Sequence, residues 1–177
     1  MVIEKLPAIE IKSLDKKIIF DQARQMLTER GFRIIDEDMA RPWGFFLSVD
    51  ESQAPEFIKC FYDDVDLGGI DTSMPLRPKI LGIQQHQRLS LQVHDRRSEI
   101  WRDLAGEFHV IFGPDEDHLD QRLMMPGDVQ ALGQGTVHRA AGLDRPALVA
   151  EIWQHTDPTH LSDENDIKRL QDDHGRQ

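Results

Sequence analysis

From Lys79 to Gln154 the apolar positions come in short runs: "KILGIQ", "RLSLQVH", "SEIWRDLA", "EFHVIFG", "HLDQRLMM", "DVQALG", "TVHRAAG" and "ALVAEIWQ". Gly106, Gly113-Pro114, Pro126-Gly127, Gly133, Gly142 and Pro146 punctuate them. Short strands at this spacing predict an all-β sandwich or small barrel. The amino-terminal part has a different period. In "DKKIIFDQARQMLTER", 15 to 30, Ile19, Ala23, Met26 and Leu27 share one helical face, with Asp15 as a start signal and Gly31 as a stop. "FRIIDED" and "RPWGFFLSV" read as strands, and "APEFIKCFY" as a short helix. The acidic stretch "DDVDLGGIDTSMPLRPK", 63 to 79, reads as a long loop, either a connector or a lid. Ser162 is a cap candidate for a short carboxy-terminal helix that runs into a frayed polar end. Two parts follow: a helical and strand extension over residues 1–40, and a barrel domain over 41–177 that carries the tail.

Composition narrows the function. A chain of 177 residues suffices for one domain with a proper core. Its net charge of −11 disfavours nucleic acid and anionic lipid. It would repel an anionic ligand too, unless a site is locally positive, so the arginines matter individually. No apolar run approaches the ~18 residues of a membrane span. The first residues lack a basic start followed by an apolar run, so no secretory signal is expected. The single cysteine, Cys60, excludes an internal disulfide and fits a reducing, cytoplasmic location.

The chemistry concentrates in two stretches. In "RLSLQVH" alternation places Arg88, Ser90, Gln92 and His94 on one strand face, with Leu89, Leu91 and Val93 on the other. After a turn at Asp95-Arg96, Arg97, Glu99 and Trp101 share a face. Antiparallel pairing of the two strands would set Glu99 beside His94 and Gln92. The second stretch, "PGDVQALGQGTVHRAAG", brings His138 after a glycine-rich turn. Imidazole, carboxylate and amide oxygen together suit a borderline divalent cation: zinc first, with manganese, iron or nickel as alternatives. His86, His118, His155, His160 and His174 fall in loops or the tail and are expected in solvent. His109 is not expected to be a ligand.

These stretches resemble the paired motifs of the cupin superfamily: His94, Glu99 and Gly106 in the first, Gly127, Gly135 and His138 in the second. Gln92 replaces the usual first histidine. With that replacement, "LSLQVHDRRSEIW" is similar to the type II mannose-6-phosphate isomerases. So are "RPWG" at 41–44, "HR" at 138–139, "EIWQ" at 151–154 and the tail "ENDIKRLQDDHGR" at 164–176. The resemblance spans roughly residues 41 to 176. It implies a cupin-type double-stranded β-helix, or jelly-roll barrel, with metal held by Gln92, His94, Glu99 and His138. It also implies an aldose–ketose isomerase acting on mannose 6-phosphate and fructose 6-phosphate. The chain departs from the family at Asp95-Arg96, where a histidine-rich turn is usual, and at Ile100, Gln85-His86 and Gly142. The amino-terminal helix and the acidic loop are also unlike it.

Under this reading Arg88, Arg97, Arg139 and Arg169 receive phosphate or sugar oxygens. Trp101 forms an apolar wall or plain core. Glu151, a carboxylate inside an apolar run, is either a general base with Arg97 beside the chemistry, or a partner that orients a histidine. Arg96, Arg102 and Arg145 are expected to be solvated. The expected partner is a small sugar phosphate, and cupins suggest a homodimer by analogy. Two alternatives stand beside the isomerase. One is a non-catalytic sugar-binding cupin with a regulatory or partner-binding role. The other, disfavoured by the glutamine and the arginines, is an iron dioxygenase.

Overall fold

The computed structural model describes residues 9–67, 70 and 73–176. Helix α1, Lys16–Glu29, begins where the Asp15 carboxylate accepts the N–H groups of Lys17 and Ile18 at 2.8 and 3.1 Å. It stops at Gly31, whose φ is 81°. Strands β1 (Ile34–Asp38) and β2 (Gly44–Val49) follow, then a 3₁₀ turn and helix α2 (Ala54–Phe61). The barrel strands are β3 (Leu76–Ile83), β4 (Leu91–Val93), β5 (Arg97–Ala105), β6 (Phe108–Asp115), β7 (His118–Met124), β8 (Val129–Leu132), β9 (Val137–Gly142), β10 (Ala147–His155) and β11 (Lys168–Gln171). With β1 and β2 they form two antiparallel sheets, ordered β1-β2-β3-β10-β5-β8 and β11-β4-β9-β6-β7. Among the described residues no helix is long and apolar enough to cross a membrane.

The central strands of the six-stranded sheet are buried on both faces, and alternation along them sorts two cores. Phe45, Leu47, Ile80, Leu148, Ala150 and Ile152 face outward, where α1 and α2 cover them with Ile19, Leu27, Phe57 and Phe61. The amino-terminal helix therefore builds a core of its own against the sheet. Phe46, Leu81, Val149 and Trp101 face inward and meet Phe108, Val110 and Ala140 of the second sheet. Tyr62, at the end of α2, ties helix to sheet: its hydroxyl lies 2.7 Å from the Ala150 carbonyl. Arg102, expected in solvent, is buried. It donates to the Phe61 carbonyl at 2.7 Å and pairs with Asp64, so it also fastens α2 to β5. Gly106 turns β5 into β6 with φ of 84°, and a Cβ there would lie 2.3 Å from the Pro146 carbonyl oxygen.

Two local expectations change. Residues 76–79 of the expected loop belong to β3, while Gly68, Gly69, Asp71 and Thr72 lie outside the described residues, so the lid reading is not carried further. After Ser162 there is a single 3₁₀ turn, Glu164–Asp166, and then strand β11 instead of a helix. β11 pairs with β4 through Lys168↔Val93 and Arg169↔Gln92. The free edge of β4 satisfies backbone groups that an isolated one-turn helix would leave open.

Asp103, fully buried in β5, has no aligned hydrogen-bond partner on either carboxylate oxygen. Burial pushes its carboxyl up to about 8, and the charges of Asp128 and Glu107 add to the rise. A folded pKa above the unfolded one means that the native state holds the extra proton. Stability is then expected to fall as pH rises from the ordinary carboxylate range through about 8. Asp103→Asn should flatten that decline, as read from melting temperatures between pH 5 and 9. An unchanged decline would show that Asp103 does not titrate in this range.

Candidate metal centre

Gln92 and His94 come from the β4 segment, His138 from its neighbour β9, and Arg97, Glu99 and Trp101 from β5 in the opposite sheet. Gln92 and His138 are directly paired across β4 and β9. Glu99 reaches them across the barrel interior, not along a shared strand pair as the sequence suggests. All six side chains are buried. Ligand atoms of His94, Glu99 and His138 lie within 4.8 Å of one another, and among the described residues no other such trio occurs.

Both imidazoles are turned toward the centre. His94 Nδ1 is 3.0 Å from the Asp166 carbonyl oxygen, and His138 Nδ1 is 2.9 Å from that of Thr136. A carbonyl only accepts, so each Nδ1 carries a hydrogen, and in the neutral ring each Nε2 is a lone-pair donor. His94 Nε2 lies 3.2 Å from Glu99 Oε1, and His138 Nε2 lies 3.3 Å from Glu99 Oε2. His138 Nε2 is buried with no hydrogen-bond partner. A lone pair facing a carboxylate oxygen out of solvent is what a bound cation would satisfy. Burial would raise the Glu99 carboxyl, but His94, Arg97 and the His138 contact outweigh it and hold it well below the usual carboxylate range. The donor set therefore fits a divalent ion.

Glu99 also accepts from Arg97 Nε at 2.8 Å and from the Trp101 indole at 3.2 Å. That indole lies 3.0 Å from Glu151 Oε1 as well, so Trp101 bridges the two carboxylates. Trp101 is fully buried, and its place is between core and site, not on a substrate wall. Burial, then repulsion from Glu99, lifts the Glu151 carboxyl to about 8.

A pocket opens beside the trio, and Gln92, Glu99 and Glu151 line it with a set of cations: Arg41, Lys79, Arg97, Arg169 and Arg176. Its apolar wall is Trp43, Phe46 and Trp153. Lys79 Nζ lies 3.5 Å and Arg97 Cζ 3.4 Å from the Trp153 ring centroid, distances that only opposite faces of the ring can accommodate together. Lys79 is directly paired with Glu151 across β3 and β10 and meets Glu164 at 3.2 Å.

Of the arginines read from the sequence, Arg97 and Arg169 line this pocket, and Arg88 and Arg139 do not. Arg88 is exposed and paired with Asp173. The alternation starts only at β4; before it, the chain passes through His86 with φ of 57° and an isolated bridge at Arg88. Arg139 follows the inward-facing His138 and so faces the other way, where it donates to the Gln171 carbonyl at 3.1 Å. Arg97 is committed to protein on all three nitrogens: Glu99, Ser162 and Asp163, and His94. It is held against Glu99, which accepts its Nε–H at 2.8 Å. Lys79, Arg41, Arg176 and Trp153 were not identified from the sequence. The signal for Lys79 was its parity with Leu81 and Ile83, hidden by Pro78 and the apparent loop before it.

No protein-family model matches the chain, and no curated protein matches it. Solved structures do. A Bacillus subtilis oxalate decarboxylase, described for its Mn(II) centres, superposes with a TM-score of 0.56 at 15% identity, over 78% of this chain and 32% of that one. An oxalate oxidase does so with a TM-score of 0.50 at 17% identity, over 68% and 56%. The chain thus spans about a third of the decarboxylase and just over half of the oxidase. At such identities the likeness is one of fold: this is an all-β cupin jelly roll, and a His–Glu–His trio that could hold a metal sits inside it.

Proposed function

We propose that the chain is a metal-dependent sugar-phosphate isomerase, interconverting an aldose and a ketose, with mannose 6-phosphate and fructose 6-phosphate as the favoured pair. The observation that carries this reading is one pocket in which a metal-ligand trio, a carboxyl poised near neutrality and a group of cations adjoin. Lys79, Arg41, Arg169 and Arg176 gather around one cavity of a strongly acidic chain; Lys79, Arg41 and Arg176 also meet Glu164, Asp38 and Asp172, and an anionic substrate would draw on the positive charge they concentrate there.

His94, Glu99 and His138 would hold the ion. Gln92 would complete the set through its amide oxygen, since a half-turn of that amide lets Nε2 and Oε1 exchange places and leaves Ser90 Oγ, now 3.0 Å from Oε1, as acceptor of the Nε2–H. An ion held there, zinc or else manganese, iron or nickel, would supply Lewis-acid polarisation of the sugar's oxygens. Glu151 takes a proton from one carbon and returns it to the next. Lys79, Arg169 and their neighbours hold the phosphate, and Trp43 with Phe46 covers the apolar side of the sugar.

Isomerisation of mannose 6-phosphate by the purified protein loaded with zinc or manganese tests the proposal; no turnover with any of the four metals would refute it. Lys79→Met is expected to raise KM for the phosphorylated sugar by ~10–100-fold, the loss of one charge-assisted contact, while metal content stays unchanged. An unaltered KM would remove Lys79 from the phosphate site.

One observation favours a second reading, a non-catalytic sugar-binding cupin. Arg97 NH2 lies 3.2 Å from His94 Nε2, so a guanidinium already supplies positive charge to the cluster. Tight sugar binding by metal-free protein, without turnover, would select this reading.

A further inference from the structure

We propose that Asp166 is a positioning residue that fixes the His94 ring from outside the metal centre; the metal part of this inference rests on the reading above. Asp166 ends the 3₁₀ turn of the carboxy-terminal segment, far in sequence from the histidine. It is tied to the β4–β5 connection in two ways. Its carbonyl oxygen accepts the His94 Nδ1–H at 3.0 Å. Its carboxylate accepts the backbone N–H groups of Asp95 and Arg96, both at 3.1 Å, and the Ser162 hydroxyl at 2.6 Å. The Arg96 guanidinium adds a contact to the same carboxylate at 3.4 Å.

This arrangement separates holding from orienting. The carboxylate clamps the two residues that follow His94, and so fixes the height of the carboxy-terminal segment above the turn. The carbonyl of the same residue, placed by that clamp, then sets the tautomer and tilt of the imidazole so that Nε2 faces Glu99. Asp166 is buried, and its three hydrogen-bonded partners leave it no freedom to serve a substrate. Ser162 closes the device from the other side: its hydroxyl donates to Asp166 and accepts from Arg97 NH1 at 3.1 Å, and Arg97 in turn holds Glu99. Two of the three trio members are thereby aligned by one short stretch, residues 162–166, that contributes no ligand.

The test is to compare wild type, Asp166→Ala and Ser162→Ala by two measurements: zinc and manganese affinity by calorimetry, and NMR of the slowly exchanging imidazole Nδ1–H, assigned to His94 by its loss in His94→Ala. Asp166→Ala is expected to lose the protected Nδ1–H and to bind metal ~10–100-fold more weakly, with the far-ultraviolet spectrum unchanged. Ser162→Ala should speed exchange of that hydrogen by a smaller factor. Wild-type exchange and affinity in Asp166→Ala would overturn the proposal while leaving the metal centre intact. A wild type that binds no metal, with the Nδ1–H still lost in Asp166→Ala, would refute the metal reading and uphold the positioning role. Should Asp166→Ala fail to fold, Ser162→Ala decides: unaltered exchange there overturns the proposal.

Discussion

Glu99→Ala is expected to abolish divalent-metal binding and to lower the stability of the metal-free protein by about 3–5 kcal/mol. Two losses combine. The carboxylate is the member of the trio that both histidines face, at 3.2 and 3.3 Å. It is also the counter-charge of Arg97, which is 1% exposed and would be left buried without it. The Trp101 indole loses an acceptor in the same step. His94→Ala separates the two effects: it removes a ligand but no buried counter-charge, so metal should be lost while most of the stability remains. Elemental analysis of the purified variants measures the first effect, and urea denaturation the second. Wild-type metal content in Glu99→Ala would end the case for this centre. Wild-type stability would mean that Arg97 finds another partner.

Glu151→Gln is expected to reduce kcat by ~10²–10⁴-fold, the usual cost of losing a general base, with metal content unchanged. The substitution is nearly isosteric, and the amide oxygen can still accept the Trp101 N–H. The pH dependence follows from the direction of the shift. The wild-type carboxyl is pushed up to about 8, so its basic form and the wild-type rate should increase as pH rises through that value. The variant should lack this limb. Stability runs the other way. A folded pKa above the unfolded one favours the native state at low pH, and that contribution is lost as pH rises through about 8. The glutamine carries no such charge, so Glu151→Gln should be at least as stable as wild type at pH 9, an exchange of stability for activity common at buried catalytic groups. A variant that retains wild-type kcat would assign the proton transfer to another residue.

Sequence by itself determined most of the barrel strands, the helix α1 and the common face of Arg97, Glu99 and Trp101, but not β11 or the start of β3, because alternation and helical period are local properties that each segment carries alone. The same local rule grouped Gln92 with His94 and picked out His138 after its glycine turn. Local rules do not say which strands become neighbours. Only the tertiary structure put β4 and β5 in opposite sheets, so that Glu99 meets the histidines across the barrel. Only the barrel's closure brought Lys79 of β3 opposite Glu151 of β10, and the carboxy-terminal segment onto the edge of β4. It also turned Arg88 to Asp173, since the stretch before β4 is irregular: Leu89 and Ser90 both line the cavity, so the alternation does not reach back to Arg88. Side-chain direction is set within a few residues, whereas pairing is set by burying two cores and satisfying every strand edge at once, which involves the whole chain.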